Sequence, residues 1–436
     1  MKVLVIGSAK SGNAVARLLN HQGYCVIITD MNEIKEKEEL EAVGIQVFDK
    51  GHPEFLKNTN YEFVVKNPGI KYTVPFIDYF VKNNVKIYTE IEIAYRYATN
   101  FRYAAVTGTN GKTTITSMLY ECLKMNNQAI VAGNIGTPLS EWALLEKDNV
   151  KDVALELSNF QLLGIEKFRP SVSVVCNLAP DHLDYMPTLE SYYESKFNIA
   201  MNQKDDDWFL RNVDDEEVMK YSKDIKCRII DFSLVRDDVD LYIKDNEVFF
   251  ENEHLFFVKD LKVVGMHNVS NAMIAGTMAL KLGVSRENVE KALTSFKGIE
   301  HRLEYVGEKN GIKFYNDSKA TNTQAACIAL ASFEKNILLL AGGYDKGIPF
   351  SEMNDYDSRV KHCFAFGQTK EKIASEFTNV TLCETMHDAL EDAMKIATSG
   401  DIVLLSPACA SYDQFKSYEQ RGDIFREDCL RYILEK

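Results

Sequence analysis

The sequence predicts an α/β protein of three domains, and three observations carry that expectation. Short apolar runs alternate with segments of helical spacing along the chain. Twice, at residues 7–12 and 108–114, a glycine-rich stretch stands where such a run gives way to a helix. The length of 436 residues is too great for one core, since domains run to about 100–200 residues. The boundaries read as 1–92, a Rossmann-like domain; 93–298, a central P-loop ATPase-like domain with a parallel sheet and a small antiparallel addition; and 299–436, a Rossmann-like α/β domain.

Composition narrows the class. Apolar residues make up 46% of the chain and charged residues 26%, as in ordinary soluble globular proteins, and no apolar run approaches the roughly 20 residues of a membrane span. Met1-Lys2-Val3-Leu4-Val5-Ile6-Gly7 reads at once as a buried strand rather than a signal peptide, so a cytoplasmic protein without a membrane partner is expected. Nine cysteines, with no C-x-x-C pair and no zinc spacing, read as reduced core residues, Cys176 and Cys363 among them. A formal charge of −14 argues against a nucleic-acid partner held by phosphate contacts.

In the first domain, a strand over 2–6 leads through Gly7-Ser8-Ala9-Lys10-Ser11-Gly12 to a helix reaching Leu19, then to a strand over 25–29 that ends at Asp30. This is a βαβ unit with a phosphate-binding turn. A nicotinamide or flavin enzyme is the rival reading, although Ala9 occupies the middle glycine of G-x-G-x-x-G. Asp30 stands where such folds grip a ribose or base, and it is equally a candidate helix cap. Asn67-Pro68-Gly69-Ile70 follows the apolar Phe63-Val64-Val65 as either a ligand-closing or a plain proline turn.

The second domain carries Thr107-Gly108-Thr109-Asn110-Gly111-Lys112-Thr113-Thr114 between an apolar run over 101–106 and a helical pattern over 115–125. Glycines let backbone N–H groups close around phosphate oxygens, Lys112 sets a cation against them, and Thr113 offers a hydroxyl to Mg²⁺, so ATP is the expected ligand. The full G-x-x-x-x-G-K-[ST] pattern wants glycine where Val106 stands. Glu156 and Ser158 follow a strand over 153–155, and Asn177, Asp181 and His182 follow one over 172–176. In a parallel sheet these ends share a rim with the phosphate loop, so Glu156 and His182 can converge on Mg²⁺. From about 205 to 265, after a solvated acidic run at Asp205-Asp206-Asp207, short strands with a hairpin signal at Asp245-Asn246 read as the antiparallel addition.

The phosphate loop resembles that of the ATP-dependent Mur ligases and their relative folylpolyglutamate synthase, which join an amino acid to a carboxylate. Further stretches share the resemblance: Asp181-His182-Leu183-Asp184 with Tyr192-Tyr193-Glu194-Ser195-Lys196-Phe197, Ala132-Gly133-Asn134-Ile135-Gly136, His267-Asn268-Val269-Ser270-Asn271-Ala272, His301-Arg302-Leu303-Glu304, and Asn316-Asp317-Ser318-Lys319-Ala320-Thr321-Asn322. The resemblance spans essentially the whole chain. It implies an acyl-phosphate mechanism with ATP and two Mg²⁺ sites. It implies ATP contacts from Gly108, Thr109, Asn110, Gly111, Lys112, Thr113, Thr114, Asn268, Asn271, Arg302 and Asp317. Metal ligands would be Thr113, Glu156, His182 and Lys196, the lysine as a carbamate, with Lys112, His182 and Lys196 as the catalytic set. Ser11, Asp30, Asn67, Gly69, Asn134 and Ser158 would hold a uridine nucleotide. Ala341-Gly342-Gly343-Tyr344-Asp345-Lys346-Gly347 and the stretch Ser406-Pro407-Ala408-Cys409-Ala410-Ser411 look like the branch of the family that adds D-glutamate to UDP-N-acetylmuramoyl-L-alanine. Lys319, Thr321, Lys346, Ser411 and Tyr418 would then hold D-glutamate in a monomer; the D-N-P-R signature of the diaminopimelate- or lysine-adding branch is absent. A nucleotide-driven switch or motor would also own a phosphate loop, but has no need of an amino-acid cage.

Overall fold

The computed structural model describes residues 1–126, 128–146, 149, 151–181 and 185–434. The chain packs as two units, Met1–Lys259 with Ser270–Leu293, and Asp260–Val269 with Thr294–Lys436.

Two sheets lie in the first unit. The smaller has five parallel strands in the order Gln46–Phe48, Cys25–Thr29, Lys2–Ile6, Phe63–Lys66, Ile87–Tyr88. These strands are runs of β-branched and aromatic residues buried along most of their length, as parallel strands covered on both faces must be. The chain winds outward from Lys2–Ile6 and returns to its other side at Phe63–Lys66, so the strand order reverses there, and ligands favour the carboxyl ends at such a reversal. At that point Gly7 adopts φ +98°, and a Cβ on it would stand 2.6 Å from Cβ of Asn67. The glycine turn and the turn at 67–70 therefore abut.

The larger sheet has nine strands in the order Glu253–Phe257, Glu247–Phe250, Leu241–Lys244, Arg228–Phe232, Trp208–Asn212, Val172–Val175, Phe101–Thr107, Lys151–Glu156, Ala129–Gly133. The antiparallel addition is smaller than the sequence suggested. Trp208–Asn212 and Arg228–Phe232 continue the parallel ladder, because the helix Glu216–Tyr221 between them supplies the crossover that parallel neighbours need. Only the meander from Leu241 to Phe257 runs antiparallel, and its first turn places Asp245 and Asn246 at φ 52° and 61°, the signature of the tight hairpin turn expected there.

Two further expectations need correction. Asp205-Asp206-Asp207 is not wholly solvated: Asp207 is buried, taking the Arg169 guanidinium at 2.5 Å and the Lys204 amide at 2.8 Å, while Asp206 also pairs with Arg169. Of the nine cysteines, all free, eight are buried, but Cys25 is exposed because it opens its strand before the covered stretch begins.

The two sheets of this unit share one apolar cluster, from Val3, Val15 and Ile28 through Ile91 and Ala94 to Tyr103, Val153 and Phe168. Glu92, in the helix Glu90–Tyr97, is its polar anchor. The side chain is fully buried and accepts from the amides of Glu166, Lys167 and Phe168 at 2.9–3.0 Å and from Arg96 at 2.8 Å.

The second unit holds six strands in the order Glu304–Lys309, Ile312–Asn316, Ile402–Leu405, Ile337–Gly342, Val360–Phe366, Val380–Leu382, parallel except for the first. Its order also reverses beside Ile402–Leu405, so the loops at 316–322, 342–347 and 406–411 leave neighbouring carboxyl ends.

Glu92→Ala removes the acceptor of three amides and one guanidinium. We expect it to lower the stability of the first unit by about 3–5 kcal/mol, the usual cost of stranding buried partners, measured by urea unfolding. A change below about 0.5 kcal/mol, the range of ordinary surface substitutions, would show that Glu92 anchors nothing.

Candidate active site

The strand Phe101–Thr107 sits between Lys151–Glu156 and Val172–Val175, with Val106 level with Glu156 and Thr107 level with Val175. The phosphate loop, the Glu156 carboxylate and the segment from Cys176 thus leave the sheet at one height. Val106 is buried within the strand, which explains the missing first glycine: the loop begins at Gly108. Gly108 has φ +145°, and a Cβ there would lie 2.2 Å from Cys176 Sγ, so no side chain fits. The loop is fastened from the side. The amides of Thr109 and Asn110 donate to Asn177 O and Oδ1 at 3.0 and 2.9 Å, and the Thr109 hydroxyl bonds the amide and carbonyl of Ala179 at 3.0 and 3.1 Å.

Gly111, left-handed at φ 83°, caps the helix Lys112–Lys124, whose first turn carries Thr113 and Thr114 and no acidic residue. Its N-terminus is therefore an open set of N–H donors and a positive dipole end, suited to an anion. Asn271 lies over this cap, its Oδ1 2.8 Å from where a Cβ of Gly111 would be.

Two lysines meet here. Lys112 Nζ donates to the carbonyls of Gly108 and Thr109 at 3.0 and 2.8 Å. Lys196, on the helix Leu189–Phe197, is 2% exposed; its Nζ lies 2.9 Å from the same Gly108 oxygen and 4.4 Å from the Tyr192 ring centre. Burial, and then the charge of Lys112, push the Lys196 ammonium down to about 7.

Glu156 is 1% exposed. Its Oε1 accepts from Asn134 Nδ2 at 2.8 Å, and the Asn134 amide bonds the Glu156 carbonyl at 2.8 Å. Its Oε2 is buried without a hydrogen-bond partner among the described residues. Ser158 caps the short helix Asn159–Leu162 in a reciprocal pair with Gln161. His182 lies outside the described residues.

At the five-stranded sheet, Ser11 is in the first turn of the helix Lys10–His21. Asp30 accepts from the amides of Ser8 and Asn32 at 2.7 and 2.8 Å; it caps the glycine turn rather than a helix, the next helix starting only after Glu36, which makes no side-chain cap. Asn67 Oδ1 accepts from the Gly69 amide at 3.1 Å.

In the second unit four of the expected amino-acid residues meet in two pairs. Lys319 Nζ lies 5.7 Å from the Tyr418 ring centre, and Lys346 Nζ 3.5 Å from the Thr321 carbonyl. Ser411 is buried and accepts the Phe415 amide at 2.8 Å. Asp317 is turned inward, with its oxygens taken by the Leu303 amide at 3.1 Å and the Ser406 hydroxyl at 2.8 Å. Arg302 is exposed nearby and its charge favours the ionised Asp317. Asn268 donates to the Val264 carbonyl at 2.7 Å.

The sequence reading missed Arg421. Fully buried, it donates to the Ser318 hydroxyl at 2.9 Å and to the carbonyls of Ser318, Cys409 and Ala410 at 2.8, 3.0 and 3.3 Å. It ties the loop bearing Lys319 and Thr321 to the one bearing Ser411. The available signal was its place on the same helix face as Phe425 and Asp428, where a cation must be buried.

Burial holds the Asp317 carboxyl up at about 7, from an ordinary 3.8. Between those values the folded state keeps a proton that the unfolded chain has released, so wild-type stability falls as pH rises through this window and levels above it. Asp317→Asn should therefore gain on the wild type from about pH 4 to pH 7 and no further, read as the difference in urea midpoint; a difference that stays flat from pH 4 to 8 contradicts this.

Comparison with known proteins matches residues 106–279 to the Mur ligase middle domain and residues 301–409 to the Mur ligase, glutamate ligase domain. A protein of Bacillus mycoides named UDP-N-acetylmuramoylalanine--D-glutamate ligase is 43% identical over 433 residues, 97% of this chain and 96% of the relative. One of the same name from Bacillus subtilis is 40% identical with the same coverage. Among solved structures, UDP-N-acetylmuramate-alanine ligase of Thermotoga maritima has a similar fold, with TM-score 0.55 at 19% identity, covering 99% of this chain and 100% of that one.

Proposed function

The chain belongs to the Mur ligase family, and we propose from that premise that it joins D-glutamate to UDP-N-acetylmuramoyl-L-alanine in an ATP-dependent step of peptidoglycan precursor synthesis. The observation that carries this reading is that Lys319 lies beside Tyr418 and Lys346 beside the Thr321 carbonyl, while Arg421 binds the loop of Lys319 and Thr321 to the one bearing Ser411. A nucleotide-driven switch has no use for such a cationic cage, whereas a dicarboxylate does.

The carboxylate of the uridine substrate attacks the γ-phosphorus of ATP, the bond to the bridging oxygen breaks, and ADP leaves an acyl phosphate. The D-glutamate amine, having lost a proton, attacks the acyl carbon; the tetrahedral intermediate expels phosphate and leaves an amide. Lys112 and the loop amides of residues 108–114 are assigned to the phosphates, Asn268 and Asn271 to the adenine, Asp317 to the ribose and Arg302 to phosphate oxygens. Ser11, Asp30, Asn67, Gly69, Asn134 and Ser158 are assigned to the uridine substrate.

Thr113, Glu156, His182 and Lys196 would hold magnesium, at two sites, which would supply charge neutralisation for the phosphate oxygens. Glu156 Oε2, without a hydrogen-bond partner among the described residues, fits that role. Lys196 fits it only as a carbamate, because an ammonium repels a cation. Its amine, at about 7, is substantially neutral near physiological pH, and a neutral amine adds CO₂ with loss of one proton. We further propose the domain division 1–92, 93–298 and 299–436, a monomer, and a cytoplasmic site of action; no helix among the described residues is long and apolar enough to cross a membrane.

Phosphate release from ATP in the presence of UDP-N-acetylmuramoyl-L-alanine, with and without D-glutamate, tests the reading: sustained release and amide product are expected only with D-glutamate. Lys346→Ala should lower kcat/KM for D-glutamate by roughly ten- to a hundred-fold, the worth of one charge-assisted bond, with KM for ATP and the uridine substrate little changed. Unaltered D-glutamate kinetics would misplace the cage.

Lys196→Ala should be inactive, and added bicarbonate or a short carboxylic acid should restore part of the rate by standing in for the carbamate. Full activity in that variant would reduce Lys196 to a packing residue.

A further inference from the structure

Lys66 ends the strand Phe63–Lys66 and has no part in the chemistry above. It is 1% exposed, and burial pushes its ammonium down to about 8. Its Nζ lies 2.6 Å from the carbonyl oxygen of Ile70 and 3.2 Å from those of Asn67 and Pro68, with the Tyr185 hydroxyl at 3.4 Å and the Tyr72 ring centre at 4.5 Å. A buried ammonium survives only when its three N–H groups find acceptors. Here a single turn, residues 67–70, curls its carbonyls around the charge.

Tyr185 completes the arrangement from a turn beyond the strand Val172–Val175 of the larger sheet. Its hydroxyl lies 2.8 Å from Ile70 O and 3.2 Å from Pro68 O, and its ring stands 4.2 Å, centre to centre, from Phe160. Phe160 belongs to the helix that Ser158 caps, and four residues beyond Tyr185 begins the helix Leu189–Phe197 that carries Lys196. One hydroxyl and one ammonium therefore join the turn at the reversal point of the first sheet to the rim of the second.

We propose that Lys66 and Tyr185 are a pair of positioning residues for the uridine substrate, holding the turn at 67–70 in the shape and place from which Asn67 and Gly69 contact it. Neither side chain touches the substrate; each acts through turn carbonyls. This rests on the reading that the turn binds the uridine nucleotide. It adds that the turn's geometry is dictated from beneath by a cation and from the side by the larger sheet.

The test is steady-state kinetics of Lys66→Met and Tyr185→Phe, varying one substrate at a time, with hydrogen–deuterium exchange of the free proteins. Lys66→Met should raise KM for UDP-N-acetylmuramoyl-L-alanine about ten- to a hundred-fold and Tyr185→Phe about three-fold, in the proportion of a charged to a neutral hydrogen bond. KM for ATP and D-glutamate should stay within about two-fold, since the substitutions are confined to one turn. Exchange across residues 67–74 should accelerate in both variants while Phe101–Thr107 keeps its protection. A wild-type KM for the uridine substrate despite faster exchange, or an equal rise in all three KM values, overturns the positioning role. Unchanged exchange at 67–74 overturns the clamp itself. Should Lys66→Met not fold, Tyr185→Phe, which removes one hydroxyl, carries both arms. Failure of the wild type to turn over the uridine substrate would sink the ligase reading instead, and the exchange arm would still decide whether the clamp exists.

Discussion

The carbonyl oxygen of Gly108 receives two ammonium groups, Lys112 at 3.0 Å and Lys196 at 2.9 Å. Two like charges meeting in a largely buried place are tolerable only if something relieves them. Asp181 eases the charge on Lys196, whereas the helix N-terminus and the glycine amides add to the positive potential. An anion bound in the loop would engage Lys112, and the carbamate proposed at Lys196 would turn the second cation into an anion. The fall of the Lys196 amine to about 7 comes first from burial and then from the charge of Lys112.

Everything around that carbonyl serves to hold it still. Gly108 is pressed against Cys176 so closely that no Cβ is possible, and Asn177 and Ala179 bind the loop through backbone and side chain. The register that sets Val106 beside Glu156 is what presents the Glu156 carboxylate at the height of the loop. In the second unit Arg421 does comparable work with four donated bonds, gathering loops that leave different strands. Lys66 does so under the turn at 67–70. Buried cations set against several carbonyls are the recurrent means by which this chain shapes its strand-end loops, and each exploits the ability of one ammonium or guanidinium to satisfy several acceptors at once.

Much of this was legible in the residues, and the reason differs from case to case. The phosphate loop was readable because its geometry is local: glycines at 108 and 111 and a lysine at 112 have to be neighbours in sequence to cradle a phosphate. Strands such as Lys2–Ile6 and Cys25–Thr29 were readable because a strand covered on both faces is a run of β-branched residues. Asp207 was misread because its partner, Arg169, lies far back in the chain, and a row of aspartates looks solvated until that guanidinium is seen beside it. The extent of the antiparallel addition was misjudged because pairing direction is a property of crossovers, and the short helix Glu216–Tyr221 carries little periodic signal.

Residue order alone was sufficient for the α/β class, the phosphate loop, the family resemblance and the amino acids able to bind anions, since each depends on spacing over a few residues. It could not say which cations are buried. In sequence Lys66, Lys196 and Arg421 look like any other lysine or arginine, and they differ in being buried against carbonyl oxygens, of the adjoining turn for Lys66 and of other loops for Lys196 and Arg421. Nor could it say that Asp317 faces inward while Lys319, two residues on, faces water. Burial, protonation and the alignment of strand ends are products of long-range packing: they arise when segments distant in the chain exclude water from the same space, and no local pattern encodes that exclusion.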